Sequence, residues 1–388
     1  MPKGTSILSR LKPHLINATL VVVSVLLTYA AMEYATFRLL LPLTPLKIRP
    51  ALPDVADVLT QNTKRDYLPH DYVALLGDSY AEGRGDWLIE ADGDRNKPFH
   101  SANVIHDATG RDVVSFGRGG AGSAEGIVLR PARALPATHC SVFPTIETPS
   151  RMFIYFYEGG AERNVWVFAP KVQKAYGRVD AETIDRYLTE YYAAENPWQC
   201  HLELLDTATR MVQFLYQHYV AGLDVDYCGK EFQETNDLIV GGRAVPAPVL
   251  QGAALALPDD SIRLSMEIFD RSLSWLHHRF PQVPATVVYI PAPPSVYRFR
   301  LETIAICTKD RRPLNVAQSE RNSDLMSDLA RKSAAAYGME FLDARPALRA
   351  AATGTLIHGP QDWDHLNETG YRTLGQLIVP HVQARQSN

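Results

Sequence analysis

Tyr72-Val73-Ala74-Leu75-Leu76-Gly77-Asp78-Ser79-Tyr80 decides how the chain is read. The apolar run over 72–76, bounded by polar residues, has the length and composition of a strand buried on both faces of a parallel sheet. Gly77 and Asp78 favour a turn, so Ser79 arrives at the strand's C-terminal end. In open α/β sheets that edge is where ligands bind. A serine hydroxyl is a poor nucleophile at neutral pH and needs a general base, which in turn needs a group to fix its tautomer. Asp362-Trp363-Asp364-His365, ahead of a helix expected over 367–382, offers both. Asp362 and His365 are three residues apart, so one tight turn can present them to the same place. Asp364 is an alternative orienter, but adjacent residues seldom point the same way. Taken singly, Gly-Asp-Ser is a common turn and an aspartate before a helix is a common cap. As a pair in one domain they point to a serine hydrolase on an α/β sheet.

Outward from this strand the pattern alternates. Further strands are expected over 112–116, 152–157, 285–290 and 339–342, with helical patterns between them, including 260–280 and 322–337. Strands alternating with helices imply a parallel sheet covered on both faces, a three-layer α/β/α sandwich with a central parallel five-stranded sheet over 69–388. Some 120 residues separate the third and fourth strands, far more than one crossover needs. The excess, about 165–257, reads as a helical, aromatic-rich insertion with helices over 181–195 and 202–220. Its aromatics, among them Tyr176, Tyr187, Tyr191, Tyr192, Trp198 and Tyr216, could meet a substrate. The helical spacing of Tyr187 with Tyr191, and of Met211 with Leu215, instead favours the packing face of a hairpin.

Lys3, Arg10 and Lys12 precede an uncharged stretch over 15–32 that would span about 27 Å as a helix, close to the thickness of a bilayer's hydrocarbon core. The expected organisation is a cytoplasmic tail over 1–14, a transmembrane anchor over 15–41 and a stiff tether over 42–68 carrying Pro42, Pro45, Pro50 and Pro53. Positive charge before the span places the N-terminus in the cytoplasm and the domain in the periplasm or otherwise outside the inner membrane. A cleaved signal peptide is the alternative, but the run is long and lacks a clean small-x-small cleavage site. A net charge of −4 and the absence of a basic run give no support to nucleic-acid binding. Cys140, Cys200, Cys228 and Cys307 allow two disulfides in an oxidising compartment; Cys200 with Cys228 is the expected pair, four free thiols the alternative. No Cys/His cluster has metal-ligand spacing, and none of the motifs calls for a metal or other cofactor.

These segments resemble, in order, the conserved blocks of the SGNH hydrolase family, also called GDSL. Leu76-Gly77-Asp78-Ser79-Tyr80 matches block one, and Asp362-Trp363-Asp364-His365-Leu366-Asn367 matches block five. Ser115-Phe116-Gly117-Arg118-Gly119-Gly120 stands at block two with Ser115 where Asn is usual, and Tyr157-Glu158-Gly159-Gly160-Ala161 stands at block three. The resemblance implies Ser79 as nucleophile, His365 as base and Asp362 as its orienter. It implies an oxyanion hole formed by the backbone N–H groups of Ser79 and Gly120 and by a block-three Asn side chain. Gly160 stands at that last position and has no side chain to offer. Asn164, Arg163 and Arg118 are the candidates to replace the missing donor; otherwise the fold is kept for binding. Residues 117–122 also satisfy G-x-G-x-x-G, but no strand ending in an acidic residue follows near 140–144, so the run reads as a glycine-rich oxyanion turn ahead of a nucleotide site. The expected function is a membrane-anchored serine esterase or O-acyltransferase acting on O-acetyl esters of an envelope or secreted polysaccharide. A lipid ester is the alternative substrate, and a degenerate domain serving as glycan-binding or scaffold subunit of envelope polysaccharide machinery is the alternative class.

Overall fold

Five short apolar runs pair into one parallel sheet. They are β1 (Val73–Leu76), β2 (Val113–Ser115), β3 (Arg151–Tyr157), β6 (Ala285–Ile290) and β10 (Glu340–Asp343). The remaining strands lie outside this sheet: β4 (Asn236–Val240), β5 (Arg243–Ala247), β7 (Arg298–Phe299), β8 (Thr303–Ile304) and β9 (Leu314–Asn315). The structure is a computed structural model and describes residues 7–40, 52, 54–61, 63–85, 100–135, 146–193, 203–216, 236–308, 313–360 and 362–383.

The sheet order is β2-β1-β3-β6-β10, with Val73 opposite Val113 and Leu76 opposite Ile154. Chain order reverses between β1 and β3, so the crevice outside their C-terminal ends is the topological switch point of a doubly wound fold. Successive side chains of a strand point to opposite faces. Ala74, Leu76, Ile154, Phe156 and Val287 bury against the helices Asp259–Arg279 and Val316–Ala336. Val73, Leu75, Phe153, Tyr155 and Val288 bury against the helices Ser101–Thr109, Arg345–Gly354 and Glu368–Gln383. This is the three-layer sandwich expected from the sequence.

The tether is shorter than expected. The helix Asp54–Thr60 buries Ala56, Val58 and Leu59 in the main core. Beyond it, Gln61 exchanges two hydrogen bonds with the backbone of Ser115, of 2.6 and 2.7 Å, and Val113 N–H donates to the Thr63 carbonyl at 2.8 Å. The prolines suggested a spacer, but the apolar residues that follow Pro53 repay burial, so the helix Asp54–Thr60 belongs to the domain. The helix Val316–Ala336 begins six residues earlier than the apolar pattern indicated, because the Asn315 side chain caps the N–H of Gln318 at 3.2 Å.

The insertion is not purely helical. The helices Ala169–Tyr176 and Ala181–Tyr187 pack through Val172 and Ile184 onto Ile268, and Tyr187 stacks on Tyr191 with ring centroids 4.6 Å apart. Strands β4 and β5 then form an antiparallel hairpin closed by Gly241 and Gly242, both at positive φ, to which β7 adds a third strand. A two-residue Gly-Gly loop is a hairpin signal in its own right, since such a turn needs φ above zero at both positions. Trp198 lies outside the described residues.

At the N-terminus the helix Ile7–Ala35 contains a 22-residue stretch, His14–Ala35, with mean hydropathy 2.0, of which Glu33 alone is buried. It is long and apolar enough to cross a membrane. Cys307 is disulfide-bonded. Cys140 and the expected pair Cys200 and Cys228 lie outside the described residues.

Three backbone turns pass so closely that they admit only glycine. A Cβ on Gly117 would lie 2.3 Å from the Glu82 nitrogen and 2.6 Å from the Asp78 oxygen; one on Gly126 would lie 2.4 Å from the Gly77 oxygen. Gly117→Ala is therefore expected to lower unfolding stability by about 1–3 kcal/mol through overpacking, measured as a fall in the denaturation midpoint with Gly354→Ala as a control, where added bulk meets nothing within 4 Å.

Candidate active site

The turn after β1 presents Ser79 as the first residue of a one-turn helix, Ser79–Glu82. Asp78 caps that turn, its Oδ1 accepting from the Tyr80 N–H at 2.9 Å. The turn after β2 brings Gly120 alongside, at φ +76°. Neither the Ser79 N–H nor the Gly120 N–H is taken by an acceptor among the described residues, so both are available to a ligand oxygen. Arg163 Nη1 donates to the Gly120 carbonyl at 2.7 Å and holds this turn.

The third participant comes from the loop before the last helix. Asp362 Oδ1 accepts from the N–H groups of Asp364 (2.9 Å) and His365 (3.2 Å), and its Oδ2 lies 2.7 Å from His365 Nδ1. The carboxylate thus fixes the loop's backbone and the imidazole's orientation together, leaving Nε2 for the opposite side. Asp364, the other candidate orienter, uses its carbonyl to accept from the Tyr80 hydroxyl at 2.7 Å. That bond joins the histidine loop to the residue next to Ser79. The Tyr80 and His365 rings are 5.5 Å apart, and Tyr371 of the last helix donates to the Arg84 carbonyl at 2.5 Å. No hydrogen bond joins the Ser79 hydroxyl to His365 among the described residues; catalytic contacts of this kind often tighten only when substrate binds.

The electrostatics match a base and its partner. Burial alone would lower the His365 pKa, but the adjacent Asp362 carboxylate and the hydrogen bond to it raise the value above an ordinary imidazole. Burial works to raise the Asp362 pKa, but His365 and two backbone N–H donors hold it below the ordinary carboxyl range. The nearby His358 is fully buried, bonded through Nδ1 to the Tyr297 hydroxyl (3.1 Å), and pushed down to about 3 by desolvation, so it stays neutral and is no rival.

Asn164 has its amide committed elsewhere. Its Oδ1 accepts from the Ser123 N–H (2.9 Å), and its Nδ2 is committed to Ser123 Oγ (2.9 Å) and to the carbonyl and Oγ of Ser265 (3.1 and 3.2 Å). It is a fully buried strut between the block-two turn and the helix Asp259–Arg279, so its amide hydrogens are spent. Arg118 is exposed. Ser115, standing where Asn is usual, is also structural: its Oγ donates to the Ala81 carbonyl (2.5 Å) and accepts from the Gly117 N–H (3.1 Å). The close packing of Gly117 on the Ser79 turn accounts for the glycine-rich run without a nucleotide.

Sequence reasoning missed three residues around Gly160. Tyr157 stacks on Tyr80 at 4.2 Å, and its ring fills the space over Gly159 and Gly160. Asp78 Oδ2 would lie 3.4 Å from a Cβ on Gly160. Glu162 is largely buried, with Oε2 lacking a hydrogen-bond partner among the described residues. Burial pushes Asp78 up to about 6 and Glu162 up to about 7, with Arg163 opposing both shifts. Gly77, Asp78, Gly122, Tyr157 and Gly160 line a small depression here. Only the excess of acidic and aromatic residues in these two turns could have signalled it.

No family model matches the sequence, and no curated relative does. Among solved structures the chain is similar to an extracellular lipase from Streptomyces rimosus, at 13% identity and TM-score 0.39 over 80% of this chain and 98% of that one. It is similar to a phospholipase A1 from Streptomyces albidoflavus, at 13% identity and TM-score 0.37 over 80% and 98%. It is also similar to a carbohydrate acetylesterase from Sinorhizobium meliloti, at 12% identity and TM-score 0.33 over 81% and 98%.

Two pH responses follow. A carboxyl whose folded pKa is raised contributes its stability at low pH and loses it as pH rises through the folded value. Glu162→Gln should therefore flatten the decline of the thermal midpoint between pH 5 and pH 8; an unchanged slope would show that Glu162 is ionised at no cost. For activity, His365 must be neutral to accept a proton, so the acidic limb of kcat/KM should lie above pH 6.5, the ordinary imidazole value. Asp362→Asn should move that limb downward and lower kcat by about 10⁴-fold.

Proposed function

We propose that the chain is a serine esterase of SGNH type. The observation that carries the reading is the 2.7 Å Asp362–His365 couple, bonded through Asp364 and Tyr80 to the turn that bears Ser79. Ser79 Oγ attacks an ester carbonyl while His365 Nε2 takes its proton. The developing oxyanion is received by the N–H groups of Ser79 and Gly120. His365 then returns the proton to the leaving alcohol, and the acyl-enzyme passes its acyl group to water or to another hydroxyl. Both acceptors use the same groups; exclusion of water from the site would favour transfer.

The finer reading is an enzyme anchored by the helix containing His14–Ala35, with its domain outside the cytoplasmic membrane, acting on O-acetyl esters of an envelope or secreted polysaccharide. The apolar helix and the preceding Lys3, Arg10 and Lys12 support the anchor and its orientation. The polysaccharide substrate rests on the sequence resemblance together with that anchor.

One observation favours a second reading, a binding or scaffold domain without turnover. Gly160 provides no side-chain donor, Asn164 is spent elsewhere, and loss of one oxyanion donor typically costs about 10²–10³ in rate. A fluorophosphonate probe separates the two readings. Labelling of the wild type and none of Ser79→Ala is expected, with p-nitrophenyl acetate hydrolysis falling at least about 10³-fold in the variant. An unlabelled wild type with equal background rates would leave the scaffold reading.

A further inference from the structure

The helix Glu203–Leu215 in the insertion leaves one apolar face uncovered. Leu204 packs inward against the main core. On the other side Leu205, Val212 and Tyr216 are 57%, 65% and 58% exposed. Spacings of seven and four residues put these three side chains on one stripe of a helix. Ala208, also exposed, lies on the same stripe. A large apolar stripe open to solvent marks a contact surface.

What lies next to it identifies the occupant. The Tyr29 hydroxyl of the N-terminal apolar helix sits against the backbone of Leu204 and Leu205. One turn on, Glu33 is buried. The window His14–Ala35 is otherwise uncovered, with Leu20, Leu26 and Leu27 more than half exposed. The stripe is thus continuous with the surface that would meet lipid. Tyr29 precedes Ala35 by six residues, about 9 Å along a helix axis, and interfacial amphipathic helices seat their apolar face about 5–10 Å into the headgroup–acyl boundary. With Ala35 taken as the outer end of the span, the junction lies at the depth such a helix occupies. A tyrosine at that level is also the residue type favoured at membrane interfaces.

We propose that the helix Glu203–Leu215 lies in the membrane–water interface and that Leu205, Val212 and Tyr216 insert among the lipid headgroups and upper acyl chains. The domain is then seated on the bilayer by a span and a surface helix rather than hung from a flexible tether. This rests on the reading of His14–Ala35 as a span, and the test separates the two.

The full chain is reconstituted in phosphatidylcholine vesicles with and without lipids brominated high on the acyl chain. Tryptophan is introduced at Val212→Trp, or at Leu301→Trp as an exposed apolar control elsewhere (59% exposed). Emission is read as the difference from wild type, which carries five tryptophans of its own. The expected result is a blue-shifted, bromine-quenched signal at position 212 and an unquenched one at 301. In parallel, alkaline carbonate extraction tests the span. Retention with equal emission at 212 in both vesicles overturns the surface helix and leaves the span. Release without quenching overturns both. Release with quenching at 212 sustains the surface helix and removes the span.

Discussion

The site depends on how closely three backbones pass at the C-terminal edge of the sheet. Gly77, Gly117 and Gly126 bring the turns after β1 and β2 and the following helical segment within van der Waals contact of one another. No side chain fits between them, so main-chain packing sets the Ser79 and Gly120 N–H groups, and the side chains of Asp78 and Arg163 brace the two turns. The sheet order sets the rest. Because the strand order reverses between the parallel β1 and β3, the turns after both strands open onto one crevice, and the last helix returns beneath it with His365 just ahead of its first residue.

Tyr80 converts this proximity into a fixed relation between segments nearly three hundred residues apart. Its ring is fully buried between Tyr157 and Tyr371, and its hydroxyl reaches the main chain of the histidine loop. Leaving a buried phenol unpaired costs free energy, so the loop that carries His365 is tied to the turn that carries Ser79 by the cost of leaving that hydroxyl unsatisfied. Asp362 performs the corresponding task within the loop, satisfying two backbone N–H groups and the imidazole at once.

Much of this was legible in the sequence, for identifiable reasons. Strands buried on both faces are unbroken apolar runs, so β1, β3 and β6 were read almost to the residue, and Ser79, His365 and Asp362 stood in compact motifs. What escaped was decided by contacts between distant segments. Asn164 has the right chemistry for an oxyanion donor, and nothing local indicates that Ser265, a hundred residues on, consumes its amide. Residues 42–68 look like a proline-led spacer until Gln61 and Thr63 are seen to bond β2. The β4–β5 hairpin could have been found, since the Gly241-Gly242 pair announces it, but the aromatic helices around it dominated the pattern. Tyr157, Asp78 and Glu162 meet only because β1 and β3 are neighbours.

The carboxyl of Glu158, the residue that follows β3, is fully buried and bonded to the Ala292 N–H (2.8 Å), the Ser323 hydroxyl (2.6 Å) and the Tyr289 hydroxyl. Desolvation raises its pKa, and these bonds offset part of that rise. The two glycines that follow are therefore anchored at their root to β6 and to the helix behind it. For the block-three turn to swing a substitute donor toward Ser79, this junction would have to come apart and expose three polar groups at once. Gly160 is thus held from behind: the missing donor is built into the rim, with the Tyr157 ring beside it, and is not restored by rearrangement from within.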